Sequence, residues 1–282
     1  LIWEPLEPYL AELRQAFVVP DGSLHLVNLA ALPVSEYEYL AEVGPLLHYL
    51  SAERDLVGDP STTRGEGLLA IGNPDFDEHS HLSAVQGGDS DEGAADSLTE
   101  TEGDSVYRGL RSTCESFQGM RFLPLPASET EVEEVAAIWQ SFGASEPVTT
   151  LFRGDALEAS FKRIAAGRQV LHLSTHGFYL GADCPVYEFS DQRGAGVAME
   201  SPLLRSGLAF AGANHRQAAL PSEDAANLTA EEDSAIDLLG VDWAVHSACE
   251  SGLGDVQTGE GVFGLRRAFT AAGARTLIMS LW

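Results

Sequence analysis

Short apolar runs alternate with helix-period segments over most of this chain, and that alternation constrains the fold more than any other feature. Residues 67–72, 148–152, 169–174, 243–248 and 276–281 each read as a short buried strand. Helices fall between them. One follows the capping box Ser128-Glu129-Thr130-Glu131 and turns Val132, Val135, Trp139 and Phe142 inward. A second carries Leu157, Phe161 and Ile164 on its inner face and closes at Gly167; a third spans 262–272 and closes at Gly273. Strands that alternate with helices build a parallel sheet covered on both faces, an α/β fold. Ahead of this region, Leu6, Leu10, Leu13 and Phe17 predict an amphipathic helix, Pro20-Asp21-Gly22 a turn, and residues 24–29 a strand.

The 282 residues suffice for one large domain. Between Asp75 and Asp104 there are ten acidic residues and no Lys or Arg. Such a segment buries too little apolar surface to offset its ordering entropy, so about 75–118 is expected to be a mobile insert within one domain. Residues 147–282 form the expected catalytic half. Sixteen basic against 43 acidic residues give a net charge of −27, which repels nucleic acid and anionic membrane and suits basic protein partners. No run approaches the ~20 apolar residues of a membrane span. Cys114, Cys184 and Cys249 are odd in number and widely spaced, which fits a reducing, cytoplasmic setting rather than a disulfide framework.

Two segments share one grammar: an apolar strand that stops on a reactive residue. The first is Val170-Leu171-His172-Leu173-Ser174-Thr175-His176-Gly177; the second runs from Trp243 to Cys249. Ligands of open α/β sheets bind beyond the carboxyl ends of the strands. If the two strands are neighbours, His176 and Cys249 face one crevice. A thiol with a pKa near ~8.5 is only a few per cent thiolate at neutral pH. An adjacent imidazole takes its proton and later delivers it to a leaving amine. The backbone N–H groups of Gly177 and Cys249 are candidate donors to the tetrahedral oxyanion. Glu250, Asp255 and Glu260 are candidate substrate-pocket residues that would favour a basic side chain. The proposed chemistry uses no metal and no cofactor.

With His-Gly after one apolar strand and Ala-Cys after a later one, the chain resembles the caspase, legumain and separase group of cysteine peptidases. In particular it resembles the CHAT family, caspase-like domains often attached to tetratricopeptide repeats. The resemblance rests on Pro20-Asp21-Gly22, Ile71-Gly72-Asn73-Pro74, the run from Leu171 to Phe178, and Ser201-Pro202-Leu203-Leu204-Arg205-Ser206-Gly207-Leu208. It also rests on the stretch from Ser247 to Trp282, with Gly259-Glu260-Gly261-Val262 and Ala272-Gly273-Ala274 in the expected places. It implies a caspase-like, mostly parallel sheet and a cysteine endopeptidase acting on a protein or peptide through Cys249 and His176, within a regulated bacterial system. A tetratricopeptide-repeat region of the same longer chain is an implied partner. His246 stands where the family usually has an aliphatic residue, and Ser251 where Thr is usual. The sequence stops at Trp282, where members of the family continue, so it is read as shortened at its carboxyl end.

Other patterns are weaker. His172 and His176 share a strand face but lie ~13 Å apart at ~3.3 Å per residue, too far for one ion, so His172 reads as a hydrogen-bonded core residue. By alternation His246 points away from Cys249 and reads as structural. Gly259-Glu260-Gly261-Val262-Phe263-Gly264 fits G-x-G-x-x-G, but a loop rather than a strand precedes it, and it reads as a turn into a helix. The competing functional reading is a catalytically silent caspase-like scaffold or protein-binding domain.

Overall fold

A computed structural model describes residues 5–10, 13–22, 24, 27–50, 53–56, 63–79, 117, 119–142, 146–180, 187–191, 194–198, 202–217, 226–248, 255–257 and 261–280. Its centre is a sheet of five parallel strands. They are β3 (Leu68–Pro74), β4 (Val148–Arg153), β5 (Val170–Ser174), β11 (Trp243–His246) and β14 (Thr276–Met279), in the spatial order β14-β11-β5-β3-β4. β3 and β5 lie in the interior, and their apolar runs are divided by the pleat. Leu68 and Ala70 face one layer, and Leu69 and Ile71 face the other. All four are fully buried, and each buried Leu or Ile contributes roughly 1.5–3 kcal/mol.

Helix α3 (Pro126–Ser141) covers the first face, packing Val132, Val135 and Trp139 on Leu68, Ala70, Val148 and Val170. It approaches β3 so closely that a Cβ on Gly72 would lie 2.5 Å from the Ser128 carbonyl oxygen. The second face carries α4 (Glu158–Ile164), the single turn α5 (Ala230–Asp233) and α6 (Leu265–Ala272). Phe161, Leu265, Ala268 and Phe269 seal that core. Buried Lys162 ties α4 to α5 through Glu158 at 2.5 Å and Glu232 at 3.1 Å. The fold is thus the expected α/β sheet with helices on both sides.

Beyond the carboxyl edge of β5 sits a small antiparallel sheet of β6 (Gly177–Tyr179), β9 (Ser206–Ala209) and β10 (Asn227–Thr229), in the order β10-β9-β6. Gly207 in its middle strand has no room for a side chain: a Cβ would meet the Leu228 carbonyl oxygen at 2.4 Å and the Phe178 ring at 2.5 Å. Two hairpins, β7 (Tyr187–Asp191) with β8 (Gly194–Ala198) and β12 (Asp255–Gln257) with β13 (Gly261–Phe263), complete the described strands of this half. Among the described residues no helix is long and apolar enough to cross a membrane.

Several local expectations are corrected. Among the described residues the amino-terminal helix is α1 (Glu7–Leu10). Residues 15–18 form β1 (Gln15–Val18), which pairs in parallel with β2 (Leu46–Tyr49), and Leu6, Leu13 and Phe17 are exposed. The helical spacing therefore serves no buried face. Of the strand expected over 24–29, residues 25 and 26 lie outside the described residues and Leu29 opens a 3-10 turn, Leu29–Ala31; Leu40–Val43 then forms α2. Helix α3 begins two residues before the capping-box Ser128, with Pro126 in its first turn and no side-chain cap. Ser128 Oγ instead accepts the Asn73 N–H at 2.6 Å and donates to the Leu125 carbonyl. Phe142 is exposed rather than inward. Helix α6 starts at Leu265 because 261–263 are taken into β13. At the two ends of the expected insert, Phe76 and Phe117 are buried against Phe122 and Phe178. Residues 80–116 lie outside the described residues.

Candidate active site

β5 and β11 are neighbours, paired in parallel with Val245 opposite His172 and His246 opposite Leu173. The ladder continues one step past β11, where Ser247 N–H donates to the Leu173 carbonyl at 2.9 Å. Ser280, just past β14, donates its hydroxyl to the Ala248 carbonyl at 2.5 Å. The peptide that leads into residue 249 is thus held from β5 on one side and from β14's end on the other. Cys249 itself, with Glu250 and Glu260, lies outside the described residues. Asp255 opens β12. Cys114 and Cys184 also lie outside.

β5 ends at Ser174, and the next residues turn into the antiparallel sheet. Buried Thr175 fixes this turn by donating Oγ1 to the Ala209 carbonyl at 2.6 Å, while Ala209 N–H donates to the His176 carbonyl at 2.9 Å. Leu180 N–H donates to the Arg205 carbonyl, just ahead of β9. Alternate residues of a strand turn their backbone polar groups to opposite sides. With 176 and 180 facing β9, the Gly177 N–H points away from it, toward the open side of β6.

The His176 imidazole is half-buried. Its Nε2 lies 2.9 Å from the Leu123 carbonyl oxygen, and its ring is flanked by Phe76 at 5.3 Å and Phe122 at 5.6 Å between centroids. A carbonyl oxygen only accepts, so Nε2 carries the hydrogen and the neutral ring keeps its lone pair on Nδ1.

The acceptor is itself held in place. The Asn214 carboxamide grips the Phe122 backbone at both ends: its Oδ1 accepts the Phe122 N–H at 2.8 Å, and its Nδ2 donates to the Phe122 carbonyl at 3.0 Å. Asn214 Nδ2 also reaches Asp77 Oδ1 at 3.0 Å. The Arg216 guanidinium donates to the carbonyls of Phe117, Met120 and Ala213 and lies over the Phe117 ring. Burial, and then the charge of Arg121, lower its pKa from the usual value. Leu123, Asn214 and Arg216 carry no motif that marks a site. A backbone carbonyl is invisible to residue-type reasoning, and the turn 213–217 is far from 122 in sequence.

Beneath this layer, His172 and Ser174 point to the α3 face and converge on Glu131. His172 Nε2 is 2.9 Å from one carboxylate oxygen, and Ser174 Oγ donates to the other at 2.9 Å. His172 is thus the hydrogen-bonded core residue that strand geometry suggests. His246 is 2% exposed and packs edge-on against Phe269, with ring centroids 4.3 Å apart. Among the described residues neither of its ring nitrogens has a hydrogen-bond partner, and burial, with a smaller contribution from His172, lowers its pKa to about 3. It therefore sits neutral on the α6 face, away from the face shared by Val245 and His172. Among the described residues no group of three or more His, Cys, Asp or Glu side chains could hold a metal ion. Gly261–Phe263 is a strand of the β12–β13 hairpin rather than a phosphate loop.

A five-stranded parallel sheet with helices on both faces and a histidine at the carboxyl edge of a central strand defines a caspase-like α/β fold. The family profile described as "CHAT domain" matches residues 1–282, the whole chain. The chain belongs to the CHAT domain family, a family of caspase-like peptidase domains. The comparison with curated proteins found no match.

Proposed function

We propose that this chain is a cysteine endopeptidase that cleaves a protein or peptide substrate in the cytoplasm, with Cys249 as nucleophile and His176 as acid-base partner. The observation that carries this reading is the pairing of β5 with β11. Val245 is level with His172, and Cys249 and His176 each come four positions later in the sequence, so two adjacent strands lead their following segments to the same carboxyl edge of the sheet. The imidazole, held through Nε2, presents Nδ1 for the thiol proton. The thiolate attacks the scissile carbonyl carbon, and Gly177 and Cys249 N–H groups take the oxyanion charge. As the C–N bond breaks, the imidazolium gives its proton to the leaving amine. Water then attacks the thioester, the ring takes up the water's proton, and the thiol reforms. Glu250, Asp255 and Glu260 are proposed to line the acyl-side pocket. A tetratricopeptide-repeat region of a longer chain is a proposed partner.

The test is peptide hydrolysis by the wild type, Cys249→Ala, His176→Ala and the double variant. Each single variant should lose turnover, and the double variant should be little worse, because residues that act as a unit are not additive. Near-wild-type turnover by Cys249→Ala would show that another group attacks the substrate.

A further inference from the structure

The ends of β11, β5, β3 and β4 follow one another along the carboxyl edge of the sheet. Cys249 follows β11 and His176 follows β5. Past His176, at the ends of β3 and β4, the described residues line a half-open cavity of about 180 Å³. Two of its walls are Phe76 and Phe122, the rings packed on the His176 imidazole. Pro74 and Pro124 add apolar surface. Pockets for whole small ligands measure roughly 300–1,000 Å³, so this one has the size of a single side chain.

Its polar groups are unequally occupied. Arg153 and Asn73 both turn to Glu129, at 3.2 Å and 2.8 Å. Asp77 Oδ1 takes Arg121 at 2.7 Å and Asn214. Asp75 is exposed, and its carboxylate accepts only the Asp77 N–H, at 3.1 Å, among the described residues. The cavity thus joins an apolar throat to a carboxylate with lone pairs to spare.

Resting on the peptidase reading, we propose that this cavity is a subsite for a Lys or Arg side chain just after the scissile bond. The direction follows from the chemistry. The acid that protonates the leaving amine must lie on the amine's side of the nucleophile, so the departing half of the substrate passes over His176 toward β3 and β4. The class follows from the lining. Methylenes of a long cation lie along Phe and Pro faces while its charge meets Asp75. The chain's net charge of −27 draws basic segments to it.

The experiment digests a proteome-derived peptide library with the wild type and with Asp75→Asn, then sequences the new amino termini. Asp75→Asn keeps the carbonyl oxygen that caps the Asp77 N–H, so the loop stays folded. In the wild type, Lys and Arg should be enriched about fivefold within the first two residues after the cut, the size expected of one partly exposed charge pair. In Asp75→Asn that enrichment should vanish, while residues before the cut keep their distribution. A wild type with no basic preference there, or an enrichment that survives Asp75→Asn, overturns the subsite. No new termini from the wild type, or as many from Cys249→Ala, would instead overturn the peptidase reading and the subsite with it.

Discussion

Replacing His246 with Leu should remove a specific pH dependence from folding. His246 is buried and neutral, with its pKa lowered from 6.5 to about 3. An unfolded chain binds a proton there below pH 6.5, whereas the folded chain does not until about pH 3. Stability from this group is therefore full above 6.5 and is lost as pH falls through that window. At pH 5 the unfolded form gains a factor of about 33 from protonation, about 2 kcal/mol, against less than about 0.1 kcal/mol at pH 7.5. Any folded pKa below about 4 gives the same figure. Asp233 works in the opposite sense. Burial holds its pKa well above the carboxylate range, so its contribution is present at low pH and lost as pH rises. It is common to both proteins and cancels in the comparison. Urea unfolding of wild type and His246→Leu at pH 7.5 and 5 should therefore show the wild type losing about 2 kcal/mol more than the variant. Identical pH dependence would mean that His246 titrates in water. The burial of His246 against Phe269 would then be wrong.

Asn214→Ala should lower kcat/KM by about 10- to 100-fold by releasing Phe122 and the Leu123 carbonyl that orients His176, and should shift the acid limb of the pH–rate profile. An unchanged profile with only a lower melting temperature would make Asn214 merely structural. Asp233→Asn should stabilise the fold at pH 7, where unfolding otherwise lets the buried carboxyl lose its proton, and should gain little at pH 4. Denaturant midpoints at the two pH values check this. Peptide hydrolysis should persist in EDTA and require a reductant, because the proposed nucleophile is a free thiol. Loss in EDTA restored by zinc or calcium would contradict that mechanism.

The central sheet was legible because its strands are apolar on both faces and too short for helices. That β5 lies beside β11 was left conditional by the sequence and is given by the pairing itself. His172 and His246 were also legible as structural residues, and the β5–β11 register, with Val245 rather than His246 level with His172, sends them to opposite faces. The amino-terminal region was not. Leu6, Leu13 and Phe17 keep a helical period yet lie exposed, and pairing with Leu46–Tyr49 decides the local structure. Ser128 and Glu131 look like cap residues, but Ser128 is recruited by Asn73 and Glu131 by His172 and Ser174, contacts that form only when β3 and β5 pack on α3. The support of His176 escaped for the same reason. Asn214 and Arg216 act on backbone groups 92 and 99 residues earlier, and no local pattern records such a contact.

The most direct measurement is the pH dependence of alkylation at Cys249, read by mass spectrometry in the wild type and in His176→Ala. An isolated thiol reacts with an apparent pKa near ~8.5. In the wild type, Cys249 should stay reactive well below that value while Cys114 and Cys184 follow it, and in His176→Ala Cys249 should join them. A Cys249 profile that is the same with and without His176 would contradict the pairing on which the account rests.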